Sequence, residues 1–92
     1  GDTEGIVNYP LSISDMMMSA LFTEKDDMIK ISFRSKGDFS VRELASKFFS
    51  GGGHQNAAGG KFFGSLDEAV EHFIAALAYY KDQLQIQDTV KD

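Results

Sequence analysis

An alternating stretch, MIKISFRS over residues 28–35, constrains the fold of this chain more than any other feature. Its two sets of side chains fall on opposite sides of an extended strand. The apolar set is Ile29, Ile31 and Phe33, and the opposing set is Met28, Lys30, Ser32 and Arg34. Such a strand belongs to a sheet with one face in the core and one face in water. The chain has no cysteine, so packing rather than disulfide bonds must hold this core together.

The remaining pattern predicts an α+β domain with the element order β-β-α-β-α. A strand over 16–23 and the strand over 28–35 form a hairpin around the charged turn EKDD. A helix follows over 40–49, then a glycine-rich strand over 57–64 and a long helix over 65–85. We expect a small mixed β-sheet with both helices packed on one face.

Both predicted helices carry a start signal and an apolar stripe. Ser40 with Glu43, and Ser65 with Glu68, have the spacing of a capping box. The stripes are Val41, Leu44, Ala45 and Phe48 in the first helix, and Leu66, Ala69, Val70, Phe73, Ile74 and Leu77 in the second. His72 falls on the other side of the second helix, so we expect it to be solvated.

The two ends of the chain are less regular. Residues 2–15 show no clear period and contain Pro10, so we expect an irregular entry segment with at most one helical turn. One domain is predicted over 2–85, with a frayed tail over 86–92. No apolar run approaches the roughly 20 residues that a membrane span needs. Without a signal-peptide pattern, we expect a cytoplasmic protein that does not bind membranes.

Charge is distributed unevenly along the sequence. The net charge is -5, yet residues 30–61 hold six basic and two acidic residues and carry +4, against -9 for the remainder. This basic island indicates an anionic ligand. The alternative is a solvated surface that happens to be basic.

The sequence SGGGHQNAAGG, at residues 50–60, lies within this island. Gly51, Gly52 and Gly53 leave three successive peptide N–H groups uncovered, and glycine can adopt the dihedrals that aim them at one anion. His54 can add a hydrogen bond to a phosphate. The run follows a helix and precedes a strand, unlike Walker and dinucleotide-binding loops, which lead into a helix. The alternative is a helix C-cap with a flexible loop.

Arg34 and Ser35 form the second candidate group, because a guanidinium grips phosphate with two parallel hydrogen bonds. Arg34 is a ligand candidate only if the fold brings it near His54. A metal site needs several converging His and carboxylate ligands, and the chain has two histidines with scattered acids. We therefore predict that this chain binds an anion, with no catalytic residue, metal or cofactor of its own.

The motifs EGIVNYP, FRS and GGGH followed by NAAG, in this order over residues 2–80, resemble the C-terminal DHH-associated domain of DHH-family phosphoesterases. The closest likeness is to the nanoRNase and pAp-phosphatase type, also described as exopolyphosphatase-related. The resemblance implies a parent hydrolase with an N-terminal DHH domain that binds two manganese ions. It also implies that Arg34, Ser35 and Gly51 to His54 hold the phosphates of a nucleotide or short oligonucleotide, with Asn56 and Lys36 as weaker candidates.

The resemblance leaves the substrate open among oligoribonucleotides, 3′-phosphoadenosine 5′-phosphate (pAp), cyclic dinucleotides, single-stranded DNA and pyrophosphate-like chains. Two other functions also remain. One is a nucleic-acid binding module without hydrolase activity, and the other is an interaction or dimerisation domain with an incidental glycine loop.

Overall fold

The chain folds as five strands and two helices, and the computed structural model describes residues 5–13 and 16–91. The elements in chain order are β1 (Ile6–Ile13), β2 (Met16–Glu24), β3 (Ile29–Lys36), α1 (Val41–Phe48), β4 (Gly52–His54), β5 (Ala57–Phe62) and α2 (Leu66–Lys91). The strands form one sheet in the order β1-β2-β3-β5-β4. Both helices pack on the same face, so the predicted α+β class and element order are confirmed.

Two details of the predicted sheet are corrected. Each neighbouring pair of these strands is antiparallel, so the sheet is not mixed. The segment 6–13, which we expected to be irregular, is the edge strand β1 paired along its whole length with β2. Pro10 lies opposite Ser19 in this strand, and an edge position tolerates proline because one side of the strand has no partner.

The core lies between the sheet and the helices, and several aromatic rings pack against one another within it. Phe73 of α2 lies edge-on to Phe22, with ring centroids 5.5 Å apart, and its ring is 6.1 Å from that of Phe33. Phe33 also contacts Phe49, which follows α1. The buried face of β3 carries Ile29, Ile31 and Phe33, as the alternating pattern predicts.

Both predicted N-caps form. The Ser40 hydroxyl accepts a hydrogen bond from the Glu43 N–H at 3.2 Å. At α2 the exchange is reciprocal, because the Glu68 N–H donates to the Ser65 hydroxyl and the Ser65 N–H donates to the Glu68 carboxylate. These caps fix where each helix starts relative to the strand before it.

The predicted stripe of α2 is confirmed at five of its six positions, because Leu66, Ala69, Val70, Phe73 and Leu77 lie in the core or pack against it. Ile74 is 46% exposed, whereas Ala76 and Tyr80 join the core. His72, which we expected to be solvated, is half-buried, and its Nε2 lies 2.8 Å from the carbonyl oxygen of Phe48. The stripe runs along positions 69, 73, 76 and 80, which turns His72 towards α1 and Ile74 towards water.

Candidate functional site

The face of the sheet opposite the helices is uncovered in the part of the chain that the structure describes, and we call it the open face. Strand alternation assigns its residues: Lys30, Ser32, Arg34 and Lys36 on β3 point away from the buried Ile31 and Phe33. Residues directly opposite one another in an antiparallel pair share a face, so the strand register extends this assignment across the sheet.

The register places Arg34 and His54 in one row of the open face. Arg34 lies opposite Ala57, and Ala57 lies opposite His54. The two candidate residues are therefore two strand spacings apart, about 10 Å between backbones, and the small Ala57 lies between them. Both side chains are exposed. Arg34 therefore lies near His54, which is the condition under which we expect Arg34 to be a ligand residue.

The neighbouring row of the open face has almost no side chains. Ser32 lies opposite Gly59, and Gly59 lies opposite Gly52. The missing side chains leave a recess of about 290 Å³ between Arg34 and β4, which we call the glycine recess. A ligand in this recess reaches the backbone of two strands directly.

The structure separates the glycines of residues 51–53 by role. A Cβ on Gly51 would lie 1.9 Å from the carbonyl oxygen of Gly59, and one on Gly53, where φ is +145°, would lie 2.6 Å from the Ala58 Cα. A Cβ on Gly52 would meet nothing within 4 Å. Close packing of β4 on β5 thus requires Gly51 and Gly53, whereas Gly52 borders open space in the recess.

The predicted cradle of three successive N–H groups does not form as expected. The Gly51 N–H donates to the carbonyl oxygen of Ala45 at 2.9 Å and closes the end of α1. The left-handed residue at this helix end is Ser50, with φ of 52°, rather than a glycine. Gly52 and Gly53 instead belong to the edge strand β4. The candidate anion site is a recess in a sheet, not a loop.

Positive charge concentrates on the open face. Lys30 lies opposite Lys61, and Arg34 and Lys36 lie on the same side of β3. Within the described ranges, no carboxylate lies within ion-pair distance of these four side chains, whereas Lys47 on α1 pairs with Glu43 of the same helix. Unpaired cations around a shallow recess attract anions and raise their local concentration.

Ser35 and Asn56, both predicted to touch the ligand, are engaged with the protein itself. The Ser35 hydroxyl donates to the Phe39 carbonyl at 2.9 Å. The Asn56 amide donates to the Ser35 hydroxyl at 2.9 Å and to the Gly37 carbonyl at 3.1 Å. These bonds tie the β4–β5 turn to the end of β3, so they hold the row of Arg34 and His54 in register.

A second hollow, which the sequence analysis did not find, lies on the other side of Arg34. This pocket of about 640 Å³ has a predominantly apolar lining that includes Pro10, Leu11, Met17 and Met18, with Ser19 and Lys36 among its polar residues. We call it the methionine pocket. Its residues come from three adjacent strands and, at Asn56, from the β4–β5 turn, and the register that gathers them is not visible in a local sequence pattern.

Metal ligands do not converge in the described ranges: no three His, Asp or Glu side chains are grouped closely enough to hold an ion. Over the same residues, no helix has the length and apolar character needed to cross a membrane. The residues present on the open face suit anion binding and not metal coordination.

Comparison with known proteins defines the class to which this fold and site belong. The DHHA1 domain family matches residues 1–82, which is most of the chain. The chain therefore belongs to the DHHA1 domain family, and the predicted resemblance is confirmed.

Individual relatives agree with this assignment. The chain is 32% identical over 77 residues to the bifunctional oligoribonuclease and PAP phosphatase NrnA of Thermus thermophilus, an alignment that covers 83% of this chain and 22% of that protein. It is 31% identical to a 3′,5′-cyclic-nucleotide phosphodiesterase of Helicobacter pylori, over 68% of this chain and 21% of the relative. The crystal structure of an exopolyphosphatase-related protein from Bacteroides fragilis superimposes with a TM-score of 0.71 at 49% identity, covering 80% of this chain and 22% of that one. The chain thus spans about a fifth of the length of these relatives, and the names of the Thermus thermophilus and Helicobacter pylori proteins describe phosphoesterases.

Proposed function

We propose that this chain is the substrate-binding domain of a manganese-dependent DHH phosphodiesterase that acts on short oligonucleotides or on pAp-like nucleotides. One observation carries the proposal: Arg34 and His54 share a row of the open face, and Arg34 lines a recess floored by glycine backbone beside that row. The names of the relatives agree with a substrate that contains a phosphate ester.

In this proposal, different residues of the open face make different contacts with the substrate. Arg34 grips one phosphate through two parallel hydrogen bonds, which a planar guanidinium makes and an ammonium does not. A phosphate oxygen then reaches the backbone between Gly52 and Gly59, where no side chain intervenes. His54 donates a hydrogen bond from the edge of the recess, and Lys30 and Lys61 attract the anion electrostatically.

Bond cleavage belongs, in this proposal, to an N-terminal DHH domain of the same polypeptide. Manganese ions held by that domain would supply an activated water and would neutralise charge on the phosphate. The described residues of this chain offer no ligand cluster for such ions. The role of this chain is to hold and orient the substrate, and the compartment that we propose is the cytoplasm.

A nucleic-acid binding module without hydrolase activity is the second candidate, and the lysines favour it. Lys30 and Lys61 lie in one row and Lys36 lies towards the other end of β3, so positive charge follows the strands across the open face. A module that tracks a backbone gains affinity with strand length and has a steep salt dependence. A terminal-phosphate site reaches full affinity at two or three nucleotides.

Calorimetric titration of the 92-residue chain with pAp and with a dinucleotide tests the proposal. We expect weak binding, because the proposed cleft is shared with another domain, and its loss in Arg34→Ala and in His54→Ala. Ser46→Ala, on the exposed side of α1, is the matched control. If both open-face variants bind as well as the parent chain, the site assignment is wrong. Affinity that keeps rising with oligonucleotide length would favour the binding module.

A further inference from the structure

Arg34 separates two hollows of opposite character. The glycine recess on one side has a largely polar lining and is bordered by cations, whereas the methionine pocket on the other side is predominantly apolar. Arg34 lines both of them. At about 640 Å³ the methionine pocket lies within the range typical of small-molecule sites. A phosphate group alone would not use an apolar pocket of this size.

We propose that the methionine pocket receives the nucleobase of the nucleotide whose phosphate lies in the glycine recess. This inference rests on the proposed function and adds to it a position for the base. It makes the site selective for nucleotides over other phosphate esters, such as sugar phosphates.

The geometry of the sheet supports a single ligand across both hollows. Met17 and Ser19 lie on β2, Arg34 on β3 and Gly59 on β5, so the two hollows are centred about two strand spacings apart, roughly 10 Å. The sugar of a mononucleotide bridges such a gap and places base and phosphate on opposite sides of Arg34.

The lining of the methionine pocket suits a flat heterocycle. Met17 is 53% exposed on the open face, and its polarizable thioether makes favourable contacts with aromatic rings. Pro10 of β1 lies opposite Ser19 and adds apolar surface on the same face. The hydroxyl of Ser19 and the ammonium of Lys36 supply donors for the polar edge of a base.

An exposed phenylalanine could stack on the base instead. Four phenylalanines cannot do so because they are fully buried in the core: Phe22, Phe33, Phe49 and Phe73. Phe63 is 68% exposed just after β5, and the Lys61 ammonium lies 5.8 Å from its ring centroid. Phe63 is therefore near the opposite end of the open face from the methionine pocket, and a variant can distinguish the two positions.

The direct test follows the methyl resonances of the methionines, labelled with ¹³C, while the chain is titrated with adenosine 5′-monophosphate or with ribose 5-phosphate. These probes share the phosphate and the sugar and differ in the base. We expect adenosine 5′-monophosphate to shift the Met17 methyl through the ring current of adenine, and ribose 5-phosphate to leave it in place. Met28, beside the β2–β3 turn, serves as the internal control.

Affinity measurements with variants complete the test. Met17→Ala removes an exposed side chain and should weaken adenosine 5′-monophosphate about fivefold, while ribose 5-phosphate binds as before. Phe63→Ala should affect neither probe. The proposed base position would be overturned if Met17→Ala bound adenosine 5′-monophosphate as tightly as the parent chain does. It would also be overturned if Phe63→Ala selectively lost affinity for adenosine 5′-monophosphate. Neither result would affect the proposed phosphate site. Failure of both probes to bind the parent chain would overturn the proposed function and this inference together.

Discussion

Substitution of Gly52 by alanine separates ligand binding from folding. A Cβ at this position meets no heavy atom within 4 Å. Gly52 does not share the positive φ of Gly53, so an alanine adopts the backbone without strain. Because alanine restricts the unfolded chain more than glycine does, the variant should be as stable as the parent or more stable by about 0.4–1 kcal/mol.

Binding should change in the opposite direction. The added methyl group projects from the open face beside Gly59, into the recess where we propose that a phosphate oxygen contacts the backbone. Loss of one charge-assisted hydrogen bond costs about 1.5–3 kcal/mol. That cost corresponds to a weakening of roughly tenfold to a hundredfold.

The assay combines thermal unfolding with calorimetric titration of pAp, and two substitutions frame the result. Ser46→Ala should change neither property. Gly51→Ala should lower stability severely, because its Cβ would overlap the Gly59 carbonyl oxygen at 1.9 Å. A stable Gly52→Ala chain with unchanged affinity for pAp would refute the glycine recess as the phosphate site.

Three further predictions concern stability. His72→Ala removes the contact between Nε2 and the Phe48 carbonyl and the ring packing around it. Chemical denaturation should therefore show a free energy of unfolding lower by about 2–3 kcal/mol. An unchanged denaturation midpoint would show that His72 does not stabilise the fold. Burial, with a smaller contribution from Glu43, raises the pKa of Tyr80 to about 12. Because the tyrosine of the unfolded chain ionises first, the stability present below pH 10 should decline between pH 10 and 12. Tyr80→Phe should lessen this decline. The Tyr80 hydroxyl is buried and has no hydrogen-bond partner among the residues that the structure describes, so the same variant should be equally or more stable at pH 7, and a large loss there would contradict the packing. Asn56→Ala removes two hydrogen bonds that pin the β4–β5 turn and should cost about 1 kcal/mol and weaken pAp binding, whereas a variant that binds normally would show that the turn does not position the site.

Local patterns in the sequence predicted most of the elements. Alternation over 28–35 identified β3 and its buried face, and the capping-box spacing located the start of both helices. These signals are local because each depends on contacts within a few residues. Pro10 misled the prediction for 6–13, since proline argues against a central strand but not against the edge strand that forms there.

The site required information that local patterns do not contain. Arg34 and His54 share one row of the sheet because β5 lies between β3 and β4, a pairing set by long-range packing. The same pairing explains why Gly51 and Gly53 serve close strand contact while Gly52 borders the recess. The methionine pocket gathers three strands, so it too depends on register rather than on a motif.

We propose that the open face, and not the helical layer, binds a nucleotide phosphate. Amide chemical-shift mapping of the 92-residue chain during a titration with pAp tests this proposal most directly. We expect shifts concentrated at Arg34, Gly52, His54 and Gly59, with the amides of α2 unmoved. Shifts confined to the helices, or none at a pAp concentration that saturates a weak site, would contradict it.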